Sequence, residues 1–182
     1  MQSLQWQERM SNSNSRAILI ISFNDERTLI KKIASELIRD GFNADNTVVI
    51  TVSNDYSCVI GQALRHMLSI NGEICDGFGV DVPYPDEHWD ERYIEELNGV
   101  FNLYEYKLEN KRALLVEAGV IRGSNYTFLD KYFKEKGIYN MYTVAMFENT
   151  GSVYKSDYVG EYYDNNSQDL TFWWERDNNH WT

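Results

Sequence analysis

Thr47-Val-Val-Ile-Thr-Val52 is an unbroken β-branched run with no apolar/polar alternation. A strand of that composition has no face to offer water, so it reads as buried on both sides. It therefore needs a layer above and a layer below. Ahead of it, Leu29, Ile30, Ile33, Ala34, Leu37 and Ile38 recur at steps of one, three and four, which marks one face of a helix. Ser22-Phe-Asn-Asp25 offers capping side chains at its start. Gly41 stops it, since glycine readily takes the left-handed conformation of a helix end. Behind the run, Ser53-Asn-Asp-Tyr56 reads as a turn. Cys58–Ile70 reads as a second helix, with Val59, Ile60, Ala63, Leu64, Met67 and Leu68 facing inward.

The same alternation continues along the chain. Ala17–Ile21 is a short apolar strand, and Ile74–Val82 another, weakened by Gly77 and Gly79. Ile94–Leu97 suggests a helical turn, and the alternation over Val100–Tyr106 predicts a strand. Ala113–Val116 is a second buried strand, Asn125–Glu135 a helix, and Tyr139–Phe147 a third buried strand. Tyr158–Tyr163 and Leu170–Trp174 read as shorter terminal strands. Strands linked by helices are normally parallel, so the expected architecture is α/β. It has a central, mostly parallel sheet, helices on both faces, and a small aromatic C-terminal hood over about residues 150–182. Residues 1–16 read as a polar arm, and 17–182 as a single domain without linker or repeat. Pro83–Glu91 holds both prolines and reads as a long surface loop.

Composition narrows the function classes. With 43% hydrophobic residues the chain is no disordered segment. A net charge of −11 argues against a nucleic-acid footprint and against anionic membrane. No apolar run approaches the roughly 20 residues that span a bilayer. The first fifteen residues lack a signal-peptide core, so the expectation is a soluble, cytoplasmic protein. Cys58 and Cys75 read as buried thiols of a reducing compartment. His66, His88 and His180 have no spacing that suits a metal or a triad. Asp86, Glu87, Asp90 and Glu91 surround His88 and Trp89 in an acidic run, which reads first as a solvated loop.

Ligands of open parallel sheets bind beyond the carboxyl ends of the strands. That edge holds Ser53–Tyr56 and Glu117–Asn125. In Arg112–Thr127, "RALLVEAGVIRGSNYT", a strand runs through a glycine turn into a helix. Gly123, Ser124, Asn125 and Thr127 fall at the helix start, where unpaired N–H groups and the dipole favour a phosphate. Many strand–helix turns carry a glycine and bind nothing, so this turn does not decide the matter alone. Arg122 at its tip has two readings: it binds an anion, or it pairs with Asp55 and closes the edge.

Four segments in order bring a family to mind. Ile21–Val52 resembles the opening strand, helix and first buried strand of the phosphoribosyltransferases, in particular the xanthine/hypoxanthine–guanine branch. Arg112–Ile138 resembles that branch's phosphoribosyl-diphosphate loop and the helix behind it. Ala145–Tyr163 is similar to the strand leading to its purine pocket, and Leu170–Glu175 to its closing Phe-Pro-Trp-Glu segment. The likeness spans roughly residues 17–176. It implies transfer of a ribosyl phosphate from phosphoribosyl diphosphate to a base nitrogen, with Mg²⁺ neutralising the leaving group.

The positions that would do the chemistry depart from the family pattern. Where the family's loop begins with two acidic residues, this chain has Glu117-Ala118. Where the purine branch has its Asp-Thr-Gly, this chain has Ile121-Arg122-Gly123, and 118–127 contains no carboxylate. The Arg-Gly-Gly expected after the first buried strand is replaced by Ser53-Asn54-Asp55-Tyr56. The purine-site Lys falls near Asn149, and the Pro of the closing segment is Trp173, followed by Trp174, which can still stack on a flat ring.

The resemblance therefore implies a phosphoribosyltransferase-type protein with impaired catalysis, binding a nucleotide, a phosphorylated sugar or a protein partner. Gly123, Ser124, Asn125 and Thr127, with Arg122, would hold the phosphate, and Asn149, Trp173 and Trp174 the base. The alternative is an active purine-type enzyme, with Glu117 on the ribose hydroxyls and Mg²⁺ bound mainly to the diphosphate. A third class is an interaction protein whose former site is closed. The acidic Pro83–Glu91 segment would then neighbour the family's lid, and the Tyr/Trp-rich end would be hood, homodimer surface or plain packing.

Overall fold

The computed structural model describes residues 8–10, 17–52, 54–82 and 91–172. In chain order the elements are β1 (Glu8–Met10), β2 (Ala17–Ile21), α1 (Phe23–Arg39), β3 (Thr47–Val52), α2 (Asn54–Met67) and β4 (Asp76–Val80). Then follow α3 (Glu91–Leu108), β5 (Arg112–Val120), α4 (Ser124–Glu135), β6 (Met141–Asn149), β7 (Tyr158–Tyr163) and β8 (Gln168–Phe172). Five strands make the central sheet in the order β4-β3-β5-β6-β7, every neighbouring pair parallel. β1, β2 and β8 make a second, three-stranded sheet.

Every residue of β3 is buried, as its composition requires. Its side chains divide by the two-residue period of a strand. Val49 joins a core with α1 and α2, while Val48, Ile50 and Val52 join one with α3 and α4. β5 divides likewise, with Leu114 and Val116 on the first side and Ala113 and Leu115 on the second. Each fully buried aliphatic side chain contributes about 1.5–3 kcal/mol relative to exposure, which is why the middle strands carry no polar alternation. The sheet is thus sandwiched by helices on both faces.

α1 starts as its sequence predicts. Ser22 Oγ accepts from the Asp25 amide at 3.2 Å, and an Asp25 oxygen accepts from the Ser22 amide at 3.1 Å, forming a capping box. Gly41 follows the helix at φ +82°. β4 keeps its glycine for packing: a Cβ on Gly77 would sit 2.6 Å from the Val49 carbonyl oxygen.

Several expectations are corrected. Val100–Tyr106 is no strand but the second half of α3. Leu97, Phe101 and Leu108 are buried, Val100 and Tyr104 pack beside them, and Leu103 and Tyr106 are each 67% exposed. Steps of three and four thus govern the burial, and the short alternation was incidental. Asn54–Tyr56 is no turn but the first turn of α2, which ends at Met67 instead of Ile70. Val59, expected inside, is 56% exposed. β5 does not stop at Val116: it continues through Gly119, which pairs with Phe147, to Val120. The turn is only Ile121–Gly123.

The expected hood divides. Tyr158–Tyr163 is the edge strand of the central sheet, and of the described terminal strands only β8 leaves it, pairing parallel with β2. Glu8–Met10, expected in the arm, pairs antiparallel with β2. The segment Pro83–Asp90 and the residues Trp173 and Trp174 lie outside the described residues. Cys58 and Cys75 are unpaired; Cys75 is buried as expected, while Cys58 is exposed. Among the described residues no helix is long and apolar enough to cross a membrane.

Candidate functional site at the carboxyl ends of the strands

β5 and α4 build the core of this edge. Glu117, near the end of β5, lies opposite Ala145 of β6 and is 9% exposed. Asn125, second residue of α4, donates through Nδ2 to Glu117 Oε1 at 2.7 Å. Burial pushes the Glu117 carboxyl up to about 7, and the Asn125 hydrogen bond pulls it the other way. The next residue, Ala118, donates its amide to Ser57 Oγ of α2 at 3.2 Å, so the strand end and the neighbouring helix are tied here. Beneath them Tyr126 is wholly buried and donates its hydroxyl to the Val144 carbonyl. Burial, then the nearby Glu117 charge, push its phenol well above the ordinary range.

Gly123 takes φ +78° and ψ 17°, a left-handed conformation that favours glycine, and it caps α4 with no side-chain hydrogen bond. A Cβ there would strike the Tyr154 side chain and come within 3.0 Å of Ser152 Oγ. The residue is therefore glycine for two reasons, its backbone and its close approach to the segment after β6. The first helical bond of α4 runs from the Thr127 amide to the Gly123 carbonyl at 3.0 Å. The amides of Ser124, Asn125 and Tyr126 precede that ladder. The first turn has no acidic residue.

The remaining predicted residues fall as follows. Thr127 spends its hydroxyl on the Gly123 carbonyl at 3.0 Å. Ser124 is half-buried, and Arg122 is exposed with no hydrogen bond or ion pair among the described residues. The side chain of Asp55, and with it the expected alternative of an Arg122–Asp55 bridge, lies outside what is described. Asn149, at the end of β6, donates Nδ2 to the Ile121 carbonyl at 2.9 Å. Its Oδ1 accepts from the amides of Gly151 and Asn165, each at 3.2 Å. Asn149 thus ties the turn before α4 to the end of β6, and its acceptor is occupied by backbone. Asn54, Asp55 and Tyr56 open α2, with Tyr56 half-buried. Ser53, Trp173 and Trp174 lie outside the described residues, so only Asn149 of the expected base-site trio has a described place.

Sequence reasoning missed Ser57, Ser152 and Tyr154, which shape the edge. Ser57 directly follows the Ser53–Tyr56 group, a signal that was available. Ser152 and Tyr154 meet Gly123 across some thirty residues of chain, and no local pattern announces that. Among the described residues no three His, Cys, Asp or Glu side chains converge to hold a metal ion. The one loop carboxylate, Glu117, is bonded to Asn125, so the described residues do not by themselves form a Mg²⁺ site.

The all-parallel five-stranded sheet between helix pairs, with a strand–turn–helix element at its carboxyl edge, is the architecture this chain shares with solved type I phosphoribosyltransferase structures. Solved structures bear this out. A purine phosphoribosyltransferase from Pyrococcus horikoshii matches with TM-score 0.63 at 17% identity, over 87% of this chain and 94% of that one. A Helicobacter pylori xanthine-guanine-hypoxanthine phosphoribosyltransferase matches with TM-score 0.57 at 14% identity, over 90% and 97%. A Bacillus anthracis hypoxanthine-guanine phosphoribosyltransferase matches with TM-score 0.58 at 14% identity, over 89% and 85%. At these identities the likeness is one of fold. No protein-family model matches the chain, and no curated protein matches it.

Proposed function

We propose that this chain is a phosphoribosyltransferase-type protein with impaired catalysis that binds a nucleotide or a phosphorylated sugar at the start of α4. The supporting observation is the composition of that start. It has no side-chain cap and no acidic residue, and exposed Arg122 stands beside it without a partner among the described residues. Free amides, a helix dipole and a cation together favour an anion. The carboxylates a transferase would use are reduced to Glu117, which is buried and already bonded to Asn125. The net charge of −11 confines anion binding to such a local positive site. A cytoplasmic place, with thiols kept reduced, belongs to this reading.

The second reading is an active purine-type transferase. What favours it is Glu117 itself, retained where the resemblance puts the ribose hydroxyls. One assay separates the two. The protein is incubated with phosphoribosyl diphosphate, Mg²⁺ and a panel of purine and pyrimidine bases, and pyrophosphate is measured. The expected outcome is no release above background; release with any base establishes the active enzyme instead. Thermal unfolding with nucleotides and ribose 5-phosphate then tests the binding. A ligand at 100 times its dissociation constant stabilises by about 2.7 kcal/mol. A flat response to every phosphorylated compound would leave an interaction protein with a closed site, whose partner is another protein or a second copy.

A further inference from the structure

The two edges of the central sheet are finished differently. An edge strand presents N–H and C=O groups that have no neighbour within the sheet, and proteins usually guard them with a lysine, a proline, a bulge or a cover. At the β7 edge, Lys32 of α1 donates its ammonium to the carbonyls of Val159 at 3.1 Å and Gly160 at 2.7 Å. That edge strand therefore carries a lysine on its own backbone. At the opposite edge, β4 has no strand on its outer side among the described residues. Its sequence, Asp76-Gly-Phe-Gly-Val80, has no proline. Its one charge, Asp76, is already held by Lys107 at 2.7 Å and Lys111 at 3.2 Å.

The two faces beside this edge differ in chemistry. Phe78, Val80 and, past the strand, Val82 belong to the core shared with α3, so Gly77, Gly79 and Asp81 turn to the α2 face. A Cβ on Gly77 would meet Arg65 Cδ of α2 at 2.8 Å, so Arg65 lies over Gly77. Arg65 donates Nε to the Cys75 carbonyl at 2.7 Å and a terminal nitrogen to Gln62 at 3.0 Å, and has no carboxylate partner among the described residues. Asp81 is exposed and has neither hydrogen bond nor ion pair among them. A cation lacking an anion and an anion lacking a cation thus stand on one face of one strand, four residues apart. On the other face Tyr104 of α3 stacks on Phe78 at 4.7 Å. Leu103 is exposed, and it shares its flank of α3 with Lys107, which reaches Asp76.

We propose that β4 is the pairing edge for a second copy of this chain, the two β4 strands running antiparallel about a two-fold axis at Gly79. A two-fold contact needs a patch that complements itself under rotation. With the axis normal to the sheet, each residue meets one on its own face. Gly79 then faces Gly79 of the second copy, Phe78 faces Val80, and Gly77 faces Asp81. Directly opposed residues have Cβ positions about 4.5–5.5 Å apart, which brings Asp81 of each copy to the Arg65 that covers Gly77 of the other. The glycines leave the α2 face open for this approach, and two Arg65–Asp81 pairs form. On the α3 face, Leu103 stands level with the axis and is covered by the second α3. The two five-stranded sheets become one of ten strands. Their carboxyl ends point in opposite directions, so this pairing is independent of anything bound at the start of α4.

Sedimentation equilibrium of the full chain over a range of concentrations tests this, and a reversible monomer–dimer equilibrium is expected. Asp81→Arg and Leu103→Arg, both on exposed side chains, should each raise the dimer dissociation constant about tenfold or more. Arg65→Glu should do the same, and the double variant Asp81→Arg/Arg65→Glu should recover most of the loss, because the two charges are exchanged across the axis. Circular dichroism checks that each variant is folded. If Arg65→Glu is not, the register is read from a second measurement. Gly79→Cys, in a Cys58→Ser background, should oxidise to a disulfide-linked dimer, since a residue on the axis meets its own copy within bridging distance. A chain that stays monomeric up to about 1 mM overturns the proposal. So does a dimer indifferent to both Asp81→Arg and Leu103→Arg, which would be joined through another face. A dimer weakened by these variants but not linked through Gly79→Cys overturns the register with its axis at that residue.

Discussion

α1 and α4 begin in opposite ways. At α1, Ser22 and Asp25 exchange hydrogen bonds with each other's backbone, and Asp25 and Glu26 place negative charge in the first turn. The chain has completed that terminus with its own atoms. At α4 the cap is Gly123, which offers no side-chain acceptor, and the first turn has no carboxylate. Both termini are helix starts after a strand, with the same N–H groups and the same dipole. The difference is in what satisfies them. A self-capped start contributes stability and binds nothing, whereas an uncapped one is left to water or a ligand. This contrast is why the candidate site is placed at α4.

The contrast is broken most severely at Gly123. Gly123→Ala puts a β-carbon on a residue at φ +78° and drives it into Tyr154 and Ser152. Strain and overpacking together should cost about 3 kcal/mol or more. Denaturant unfolding should show the loss as a lower midpoint. An undiminished midpoint would mean that the 152–154 segment moves away freely, and that the turn is not fixed by this contact.

Acid and base behaviour sharpens the same comparison. The α1 carboxylates assist their helix, but Glu117 is an acid in a place that resists its charge. Its carboxyl is raised to about 7 in the folded protein, against 4.5 ordinarily. As pH rises from about 4.5 to about 7 the unfolded chain gives up this proton before the folded one does. Glu117 therefore removes stability over that window, up to roughly 3 kcal/mol, and the loss is complete above it. Glu117→Gln should abolish this share, so the gap between variant and wild-type stability should widen from pH 4.5 to pH 7. A constant gap would show that Glu117 ionises in the folded state as it does in the unfolded one.

What was legible in the sequence follows from how local each cause is. The β3 run and the α1 cap are written in consecutive residues, and both stand as read. Val100–Tyr106 misled because seven residues are too few to separate alternation from helical spacing; Leu97 and Leu108, outside that window, restore the helical register. β5 was cut short at its glycine because Gly119 reads as a turn, yet pairing with Phe147 holds it extended. The site was half legible for the same reason. Glu117, Gly123 and Asn125 lie within nine residues and could be picked out together. The bond that spends Asn149 on Ile121 joins residues 28 apart, and Gly123 meets Tyr154 over a longer span still. Such contacts exist only once the sheet is assembled.

The smallest expected effects are the most direct test of the comparison, because they exchange the characters of the two termini. Ser22→Ala should strip the α1 cap and cost about 1 kcal/mol, with no change in anion binding. Ser124→Asp should supply α4 with the first-turn carboxylate it lacks. The helix should gain about 0.5 kcal/mol from its dipole, while the new charge occupies the place an anion would take. The two variants are thus predicted to move stability in opposite directions and to differ in binding, measured by thermal unfolding with and without sulfate. The informative result is the second half of the pair. If Ser124→Asp stabilises the protein and sulfate still stabilises it further by the same amount, the anion is not at the start of α4, however open that start is. If sulfate stabilisation disappears while the fold tightens, the missing carboxylate is what keeps the site available.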